Sequence, residues 1–434
     1  MAVDCAMNGE CVKSNASDPQ APGYCQCFTG WMGDQCEVLD LLPVDPERAG
    51  LRLPNKDSSN WGGSVIYRDG LYHMFSSEIL YNCGLDSWTT NSQVIRAVSE
   101  SPYGPYRKVQ VILPPFAHEP NVVEAPTGEL VLFLTALAGI TPRDCRTPRL
   151  RTDTRRYANG NTTSPPKDTY MMWSHHPEGP WSEPVMVLNS TIWNQDYWAK
   201  RHRIARCDSN LNGMILPNQS FLGLWRRCET EDLLTIPHTL MATDWRIPST
   251  YLPNTSPLFV LGGSGAEDPS NIWTTTTSQG IAFHAIFHDE QATRCMLGQC
   301  SANGRHAFSL DGKSWRYASV DAYQRNVTFL PDSTITVNTR ARPFVILDPS
   351  TGHPQALATG LKETMESGYV WTLVQPLRQL PSLFVGRHDH YDDYFNQNIK
   401  QGAKEAYNVF DERPPREACL GVSDPRCFKS LRNG

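Results

Sequence analysis

One stretch of the chain decides the fold: Glu267-Asp268-Pro269, then the apolar run from Ile281 to His288, then Ser309-Leu310-Asp311-Gly312-Lys313-Ser314-Trp315. It follows the glycine-rich run Gly262-Gly263-Ser264-Gly265. A carboxylate pair before a proline, then buried strands, then a polar turn that ends in tryptophan is a pattern typical of one blade of a β-propeller.

Similar patterns recur from about residue 57 to residue 385. Short apolar strands flank tight turns such as Asp69-Gly70 in the first copy and Pro126-Thr127-Gly128 in the second. Five openings over this region give ~65 residues per blade, more than the ~40–45 of short-repeat propellers. The spacing therefore predicts an all-β fold, a five-bladed propeller over residues 57–385. We expect Tyr369–Val374 to return and close the first blade.

The composition argues against a nucleic-acid partner and favours an extracellular location. The 434 residues carry 39 basic and 45 acidic side chains without a basic stripe, so no nucleic-acid partner is expected. No apolar run approaches the ~20 residues that span a bilayer, and no signal peptide is visible at Met1. Thirteen cysteines nonetheless predict secretion, with the targeting signal upstream. Six glycosylation sequons support this: Asn15, Asn161, Asn189, Asn218, Asn254 and Asn326.

Residues 1–37 contain a cysteine framework. The run from Cys25 to Cys36 fits C-x-C-x-x-G-W-x-G-x-x-C, and Cys5 and Cys11 precede it. This resembles an EGF-like module that lacks its first cysteine. The resemblance implies the pairs Cys5–Cys25 and Cys27–Cys36, with the partner of Cys11 lost by truncation, and it allows contact with an extracellular protein.

The remaining segments and cysteines complete the predicted organisation. Residues 38–56 form a connector, and residues 386–434 form a C-terminal tail. In the propeller we expect Cys207 to pair with Cys228 and Cys295 with Cys300, which leaves Cys83 for Cys145. In the tail we expect a loop closed by Cys419 and Cys427.

Polar residues at the starts of the innermost strands should converge around a central funnel. Glycoside hydrolysis needs one carboxyl group to protonate the leaving oxygen and another to act as base or nucleophile. The predicted catalytic carboxylates are Glu267, Asp268 and Glu119. The predicted substrate-binding residues are Asn60, Trp61, His118, Asn210, His284, Arg340 and Arg342.

The carboxylate pair at the opening of the fourth blade has two interpretations. Adjacent strand residues point to opposite faces, so only Glu267 or Asp268 should face the funnel, the other binding backbone amides or an arginine. The proline after Asp268 predicts an extended backbone at that residue.

The histidines and arginines also leave alternatives open. His284 and His288 lie ~13 Å apart on one face of a strand, too far to share a metal, and either belongs to the core or rim unless His284 reaches substrate. Arg340 and Arg342 either clamp an acidic sugar or pair with funnel carboxylates. No metal and no cofactor are predicted. Ser309–Trp315 is close to a sialidase Asp-box, which is a structural turn.

Three features resemble the arabinanase, xylosidase and invertase group of five-bladed glycosidases: Gly-Pro-aromatic turns, the hairpin Asp69-Gly70-Leu71-Tyr72-His73, and the turn Ser309–Trp315. The resemblance covers residues 57–385 and implies a glycosidase funnel. That group places an Asp at the blade-one opening, where this chain has Trp61-Gly62. Its second-blade acid corresponds to Glu119, and its third-blade acid has no clear equivalent beside Asp208.

The predicted function is a secreted glycoside hydrolase that acts on a polysaccharide or a glycoprotein glycan. The first alternative is a non-catalytic glycan-binding, matrix or adhesion protein on the same scaffold, favoured by Trp61-Gly62. The second is a sialidase-like enzyme, which would need six blades, a tyrosine nucleophile and three convergent arginines.

Overall fold

A computed structural model describes residues 5–14, 23–53, 57–136, 142, 144–146, 168–189, 209–228, 235–254, 258, 265–290, 303–364 and 369–379. Several predictions lie outside these residues: the glycine run 262–264, Asp208, Cys207, Cys295, Cys300, the tail 386–434 and the sequons at Asn15 and Asn161. The side chain of Cys228 is likewise outside the description.

The N-terminal disulfide unit, residues 5–14 and 23–39, contains two small hairpins. Its strands are β1 (Gly9–Lys13), β2 (Gly23–Cys27), β3 (Trp31–Met32) and β4 (Val38–Leu39). In the described part of the chain, helical structure is limited to α1 (Trp88–Asn91) and the 3-10 turns Cys5–Met7, Leu85–Ser87 and Pro248–Thr250. No helix among the described residues has the length and apolarity needed to cross a membrane.

Five antiparallel sheets form the blades of a propeller. Blade one is β5 (Ser59–Arg68), β6 (Leu71–Ile79), β7 (Ser92–Ser99) and β8 (Arg107–Leu113). Blade two is β9 (Ala117–Glu124), β10 (Leu130–Ala136), β11 (Asp168–Ser174) and β12 (Val185–Leu188). Blade three is β13 (Ser209–Ile215), β14 (Phe221–Cys228), β15 (Thr235–Ala242) and β16 (Leu252–Pro253).

Blade four has a split innermost strand. Both β17 (Gly265–Glu267) and β18 (Trp273–Thr277) pair with β19 (Gly280–Glu290), which is followed by β20 (Asn303–Ser309) and β21 (Trp315–Tyr323). A separate hairpin, β22 (Asn326–Phe329) and β23 (Ser333–Thr336), precedes blade five. Blade five is β24 (Thr339–Leu347), β25 (Pro354–Lys362) and β26 (Trp371–Pro376).

The five-bladed prediction is confirmed, and the six blades of the sialidase-like alternative are not what the chain forms. The predicted closure is wrong. Strand β26 completes blade five instead of returning to blade one, and the connector pairs with it through the bridges Leu51 to Thr372 and Leu41 to Leu377. The N-terminal side of the chain therefore closes the ring against its last blade.

Apolar side chains fill the spaces between blades, and polar side chains join the innermost strands. Between blades two and three, for example, Phe133, Phe221 and Trp225 are fully buried in one cluster. Ser64 Oγ donates to the carbonyl of Pro120 in blade two. Similar links run from Asn121 to Leu211 O, from Asn212 to Pro269 O and between Asn271 and Val345. The centre of the ring is thus fixed by hydrogen bonds as well as by packing.

The turn Ser309–Trp315 is structural, as predicted. The Asp311 carboxylate accepts from the backbone N–H groups of Lys313 and Ser314, and the Trp315 indole donates to Gly312 O at 3.0 Å. Burial would raise the pKa of Asp311, but these hydrogen bonds outweigh it and lower that pKa. The turn therefore holds the β20–β21 connection and places Trp315 in the core.

The N-terminal disulfide unit lies against blade four. The predicted pairs Cys5–Cys25, Cys27–Cys36 and Cys83–Cys145 are present, and Cys11 is a free, exposed thiol. The Glu10 carboxylate accepts from the Ser278 hydroxyl at 2.6 Å. Four aromatic rings stack at the junction: Trp31, Trp273, His284 and His306. The unit is therefore a packed part of the fold.

Candidate functional site

A β-bulge or a break interrupts the innermost strand of every blade at the funnel. The register shifts between Trp61 and Ser64 in β5, between Ser209 and Asn212 in β13, and between Ala341 and Phe344 in β24. The register of β9 shifts between His118 and Asn121, and in blade four the innermost strand breaks after Glu267. A bulge turns a side chain away from the regular alternation of a strand.

Each interruption contains one residue with a left-handed backbone. The five residues, one for each blade, are Gly62 (φ 64°), Glu119 (φ 58°), Asn210 (φ 62°), Asp268 (φ 51°) and Arg342 (φ 57°). The extended conformation predicted for Asp268 is therefore wrong. The predicted alternation also fails there, since Glu267 and Asp268 both lie beside His288, with carboxylate oxygens 3.4 and 3.8 Å from its Nδ1.

Arg342 joins two of the predicted catalytic carboxylates. Its Nη1 lies 3.6 Å from Glu119 Oε2 and 3.6 Å from Asp268 Oδ1. The side chain crosses the α-carbon of Gly62, where an added Cβ would lie 2.9 Å from Arg342 Cβ. Asn210 donates a hydrogen bond to Asp268 Oδ1. The five left-handed positions thus meet in one cluster at the centre of the ring.

A second ion pair adjoins this cluster. Arg226, on β14, donates a hydrogen bond to Glu267, and both side chains are 13% exposed. Burial would raise the pKa of Glu267, but Arg226 and His288 outweigh it and lower the pKa to about 2. Burial opposes the charge on Arg226, yet Glu267 and Glu119 raise its pKa above the ordinary value. Glu267 is therefore ionised at any physiological pH.

The other two carboxyl groups are shifted in the opposite direction. Burial raises the pKa of Glu119, and Arg342 offsets this only in part. Burial and then the neighbouring charge of Glu267 raise the pKa of Asp268. The site therefore combines one carboxylate that holds its charge with two carboxyl groups that take up protons more readily than usual.

His118 lies behind Glu119 and is fixed on three sides. Its Nδ1 is 2.7 Å from the Ser92 hydroxyl, its ring stacks on Trp88 with centroids 4.7 Å apart, and its Nε2 is 3.5 Å from Glu119 Oε1. His118 is buried, so it supports Glu119 from within the protein. Trp88 is half-buried on the segment between β6 and β7, which the Cys83–Cys145 disulfide anchors.

Among the described residues, Glu267, Asp268 and His288 form a group whose potential metal-ligand atoms lie within 4.8 Å of one another. Two carboxylates and an imidazole are an acceptable donor set for a divalent ion. Both carboxylates, however, are already bound by cations, Glu267 by Arg226 and Asp268 by Arg342. A divalent ion would add charge beside two arginines, so this donor set does not suit one.

Four predicted substrate-binding residues lie away from the funnel cluster. Asn60 is fully buried and bonds the backbone of Leu51 and Thr372. Trp61 is 5% exposed and packs over Gly360 in blade five. His284 faces the N-terminal disulfide unit, and Arg340 is held by Thr359, Gln324 and Gln375. The bulges after Trp61 and Ala341 thus leave Trp61 and Arg340 buried against neighbouring strands.

The predicted residues that do meet are Glu267, Asp268, Glu119, Asn210 and Arg342, with His118 behind them. Sequence reasoning missed Arg226, and it treated His288 as a core or rim histidine. The doublet Arg226-Arg227 in the otherwise apolar strand β14 is a signal for the first. His288 pairs in register with Glu267, which becomes visible only once β17 and β19 are aligned.

Comparison with known proteins finds similarity in fold but not in sequence. No protein-family model matches the chain, and no curated protein matches it in sequence. Among solved structures, one described as a glycoside hydrolase has a TM-score of 0.50 and 9% identity, covering 81% of this chain and 93% of its own. An endo-arabinase from Bacteroides thetaiotaomicron VPI-5482 covers 76% of this chain and 97% of its own at TM-score 0.44 and 11% identity.

A protein of unknown function from Dyadobacter fermentans DSM 18053 is also similar, with a TM-score of 0.48, 12% identity, and coverage of 79% of this chain and 100% of its own. At such identities the similarity shows the fold alone. The fold that these structures share with this chain is the five-bladed β-propeller.

Proposed function

We propose that the protein is a secreted carbohydrate-active protein whose funnel binds a glycan and hydrolyses a glycosidic bond. The observation that supports this is the clustering of carboxyl groups from two blades around Arg342. Since Glu119 and Asp268 each place an oxygen 3.6 Å from the same nitrogen, the two oxygens are at most about 7 Å apart, a separation compatible with paired carboxylates in glycosidases.

The pKa differences assign roles within the cluster. Glu119, whose pKa is raised by burial, is the proton donor to the leaving glycosidic oxygen. Asp268, whose oxygen lies at most about 7 Å from that of Glu119, is the base that takes a proton from water as the water oxygen attacks the anomeric carbon. Glu267 stays ionised because its pKa is about 2, and it neutralises Arg226 beside this pair. Asn210 and the backbone N–H of Arg342 donate to the Asp268 carboxylate and fix its position.

Secretion is supported by the disulfides and by the sequons. Three disulfides favour an oxidising compartment. Asn218, Asn254 and Asn326 are exposed, as glycosylation requires, and Asn189 is half-buried. The similar structures whose descriptions state an activity are glycoside hydrolases, although their low identity to this chain carries only the fold.

A second candidate is a glycan-binding protein without hydrolytic activity. Two of the five equivalent left-handed positions carry no carboxyl group, since blade one has Gly62 and blade three has Asn210. The glycosidases that the sequence resembles use an Asp at the blade-one opening. A scaffold that keeps the funnel and loses this group would bind sugar without cleaving it.

A glycan panel separates the two candidates. The full chain is tested for binding to, and sugar release from, plant, microbial and glycoprotein glycans. We expect release from at least one glycan, and a loss of about 10²–10⁴-fold in kcat for Glu119→Gln and Asp268→Asn. Glu124→Gln removes an exposed carboxyl group from the same strand β9 and should leave release unchanged.

The outcomes of the glycan panel decide between the hydrolase and the glycan-binding protein. Binding with no release from any glycan would favour the second candidate, and full activity in both funnel variants would refute the assigned roles. If the wild-type chain neither binds nor cleaves any glycan, both candidates are wrong. Circular dichroism and thermal unfolding show whether a variant lost activity by unfolding.

A further inference from the structure

Two buried histidines lie between blade four and the N-terminal disulfide unit. His284, on β19, and His306, on β20, are both fully buried, and their rings stack with centroids 5.2 Å apart. Trp31 of the N-terminal disulfide unit packs on His306 with centroids 4.8 Å apart, and Met7 of the same unit shares a buried cluster with Phe308. The unit therefore covers the face of blade four on which the two rings lie.

The hydrogen bonds of the pair form a chain that ends on the N-terminal disulfide unit. The Thr275 hydroxyl donates to Met7 O at 3.1 Å, so it accepts at 2.6 Å from the Nε2–H of His284. His284 Nδ1 is then the acceptor for the Nε2–H of His306, 3.0 Å away. Asn8 Nδ2 lies 3.4 Å from both ring nitrogens of His306. This arrangement fits two neutral imidazoles, each with one N–H donor.

Protonation of either ring opposes this docking. An added proton makes one imidazole a donor at both nitrogens, so that a donor then faces the other ring or the Asn8 amide N–H group. Burial also disfavours the charged form: it lowers the pKa of His284 to about 3, and burial together with His284 lowers the pKa of His306. The docked unit is therefore compatible only with the neutral pair.

Other groups on the packed elements do not offset a charge on the pair. Burial raises the pKa of Tyr323, on β21, so its phenol is neutral beside Trp31. Further titratable groups on the packed elements have partners of their own: His288 with Glu267, Arg305 with Asp321, and Glu10 with Ser278 at the exposed edge of the junction. A positive charge on the pair is therefore accommodated only where water reaches it.

We propose that the two histidines form an acid-sensitive latch, which holds the N-terminal disulfide unit on blade four at neutral pH and releases it in acid. This inference is independent of sugar binding. Released histidines have the ordinary pKa of about 6.5, so the released form binds protons more strongly than the docked form. The stabilisation is complete above pH 6.5 and decreases below it. At pH 5.0 each histidine should raise the equilibrium constant for release about 30-fold, and both together about 10³-fold.

Hydroxyl-radical labelling of the full chain, followed by mass spectrometry, measures the release. We expect oxidation of Met7 and Trp31, both buried in the docked unit, to rise about tenfold or more from pH 7.5 to pH 5.0. The signal is normalised to Met32, which is exposed in the same unit. Met74 and Trp225, buried within the blades, should stay protected, which distinguishes release from unfolding.

Variants test whether the response belongs to the histidines, each through its own ratio of labelling at pH 5.0 to that at pH 7.5. His306→Phe should reduce the change in the release constant from about 10³-fold to about 30-fold, and His284→Phe/His306→Phe should remove it. Two controls should keep the full response: His73→Phe, which removes a buried histidine from blade one, and Glu10→Gln, which removes the carboxylate at the junction edge.

Several results would overturn the latch. Unchanged labelling of wild-type Met7 and Trp31 between the two pH values is one, and a full pH response in the folded double histidine variant is another. Loss of the response in Glu10→Gln would assign it to the carboxylate instead. If the double variant does not fold, the wild-type comparison still decides, because equal exposure of Met74 and Trp225 at pH 5.0 would show unfolding in place of release.

Discussion

Replacing Glu267 with glutamine tests the electrostatics of the funnel directly. Its pKa is lowered from 4.5 to about 2, which corresponds to roughly 3 kcal/mol of interaction between the ionised carboxylate and its surroundings. Because Glu267→Gln leaves the buried Arg226 without its hydrogen-bonded carboxylate, we expect the free energy of unfolding at pH 7 to fall by about 3–5 kcal/mol. Urea unfolding followed by circular dichroism measures this change.

The pH dependence of stability tests the direction of the pKa shift of Glu267. Since the folded pKa of Glu267 lies below 4.5, its contribution is complete above about pH 4.5 and is lost as the pH falls toward about 2. The wild-type advantage over Glu267→Gln should therefore shrink across this window. Asp321→Asn is the control: it breaks the more exposed pair with Arg305 and should cost at most about 1 kcal/mol.

A small effect would refute the reasoning. If Glu267→Gln costs less than about 1 kcal/mol, the carboxylate does not carry the charge balance of the site. The same conclusion follows if Arg226→Gln and Glu267→Gln add fully in the double variant, because coupled partners are not additive.

Two further predictions concern parts of the fold outside the funnel. Burial lowers the pKa of His284 from 6.5 to about 3. The fold therefore holds His284 neutral, and the free energy of unfolding decreases as the pH falls below 6.5, where the unfolded chain takes up the proton. At pH 4.5 the wild type should have lost roughly 3 kcal/mol of this free energy, which His284→Phe retains. Equally steep acid destabilisation of both proteins, measured by urea unfolding, would contradict this. Replacing Cys83 and Cys145 with serine opens a link across 62 positions and should cost about 4 kcal/mol. An unchanged melting temperature would show that the disulfide does not stabilise the fold.

Local sequence signals predicted the parts of the fold that depend on local contacts. The turn Ser309–Trp315 is held by hydrogen bonds within seven residues, so its sequence is sufficient to define it. Strand and turn alternation likewise predicted five blades. The closure was missed because the Leu51 to Thr372 bridge joins distant segments and has no local signal.

The funnel was predicted less well because strand periodicity fails there. The alternation rule assumes a regular strand, and each innermost strand is interrupted where its left-handed residue lies. Residues beside the interruption, such as Trp61 and Arg340, were assigned to the funnel and are instead buried in blade interfaces. A usable signal exists in the sequence, since Glu119, Asp268 and Arg342 all precede a proline and all have positive φ.

The left-handed positions also link two features of the funnel, the missing carboxyl group of blade one and the course of the Arg342 side chain. Arg342 can cross the funnel only because position 62 has no side chain, as a Cβ there would collide with it. The absence of a side chain in blade one and the arginine bridge from blade five to Glu119 are thus linked by packing. The result is a site whose carboxyl groups come from blades two and four, with Arg342 3.6 Å from Glu119 and from Asp268. Any hydrolysis in the funnel must then depend on the carboxyl groups of blades two and four, because blade one supplies none.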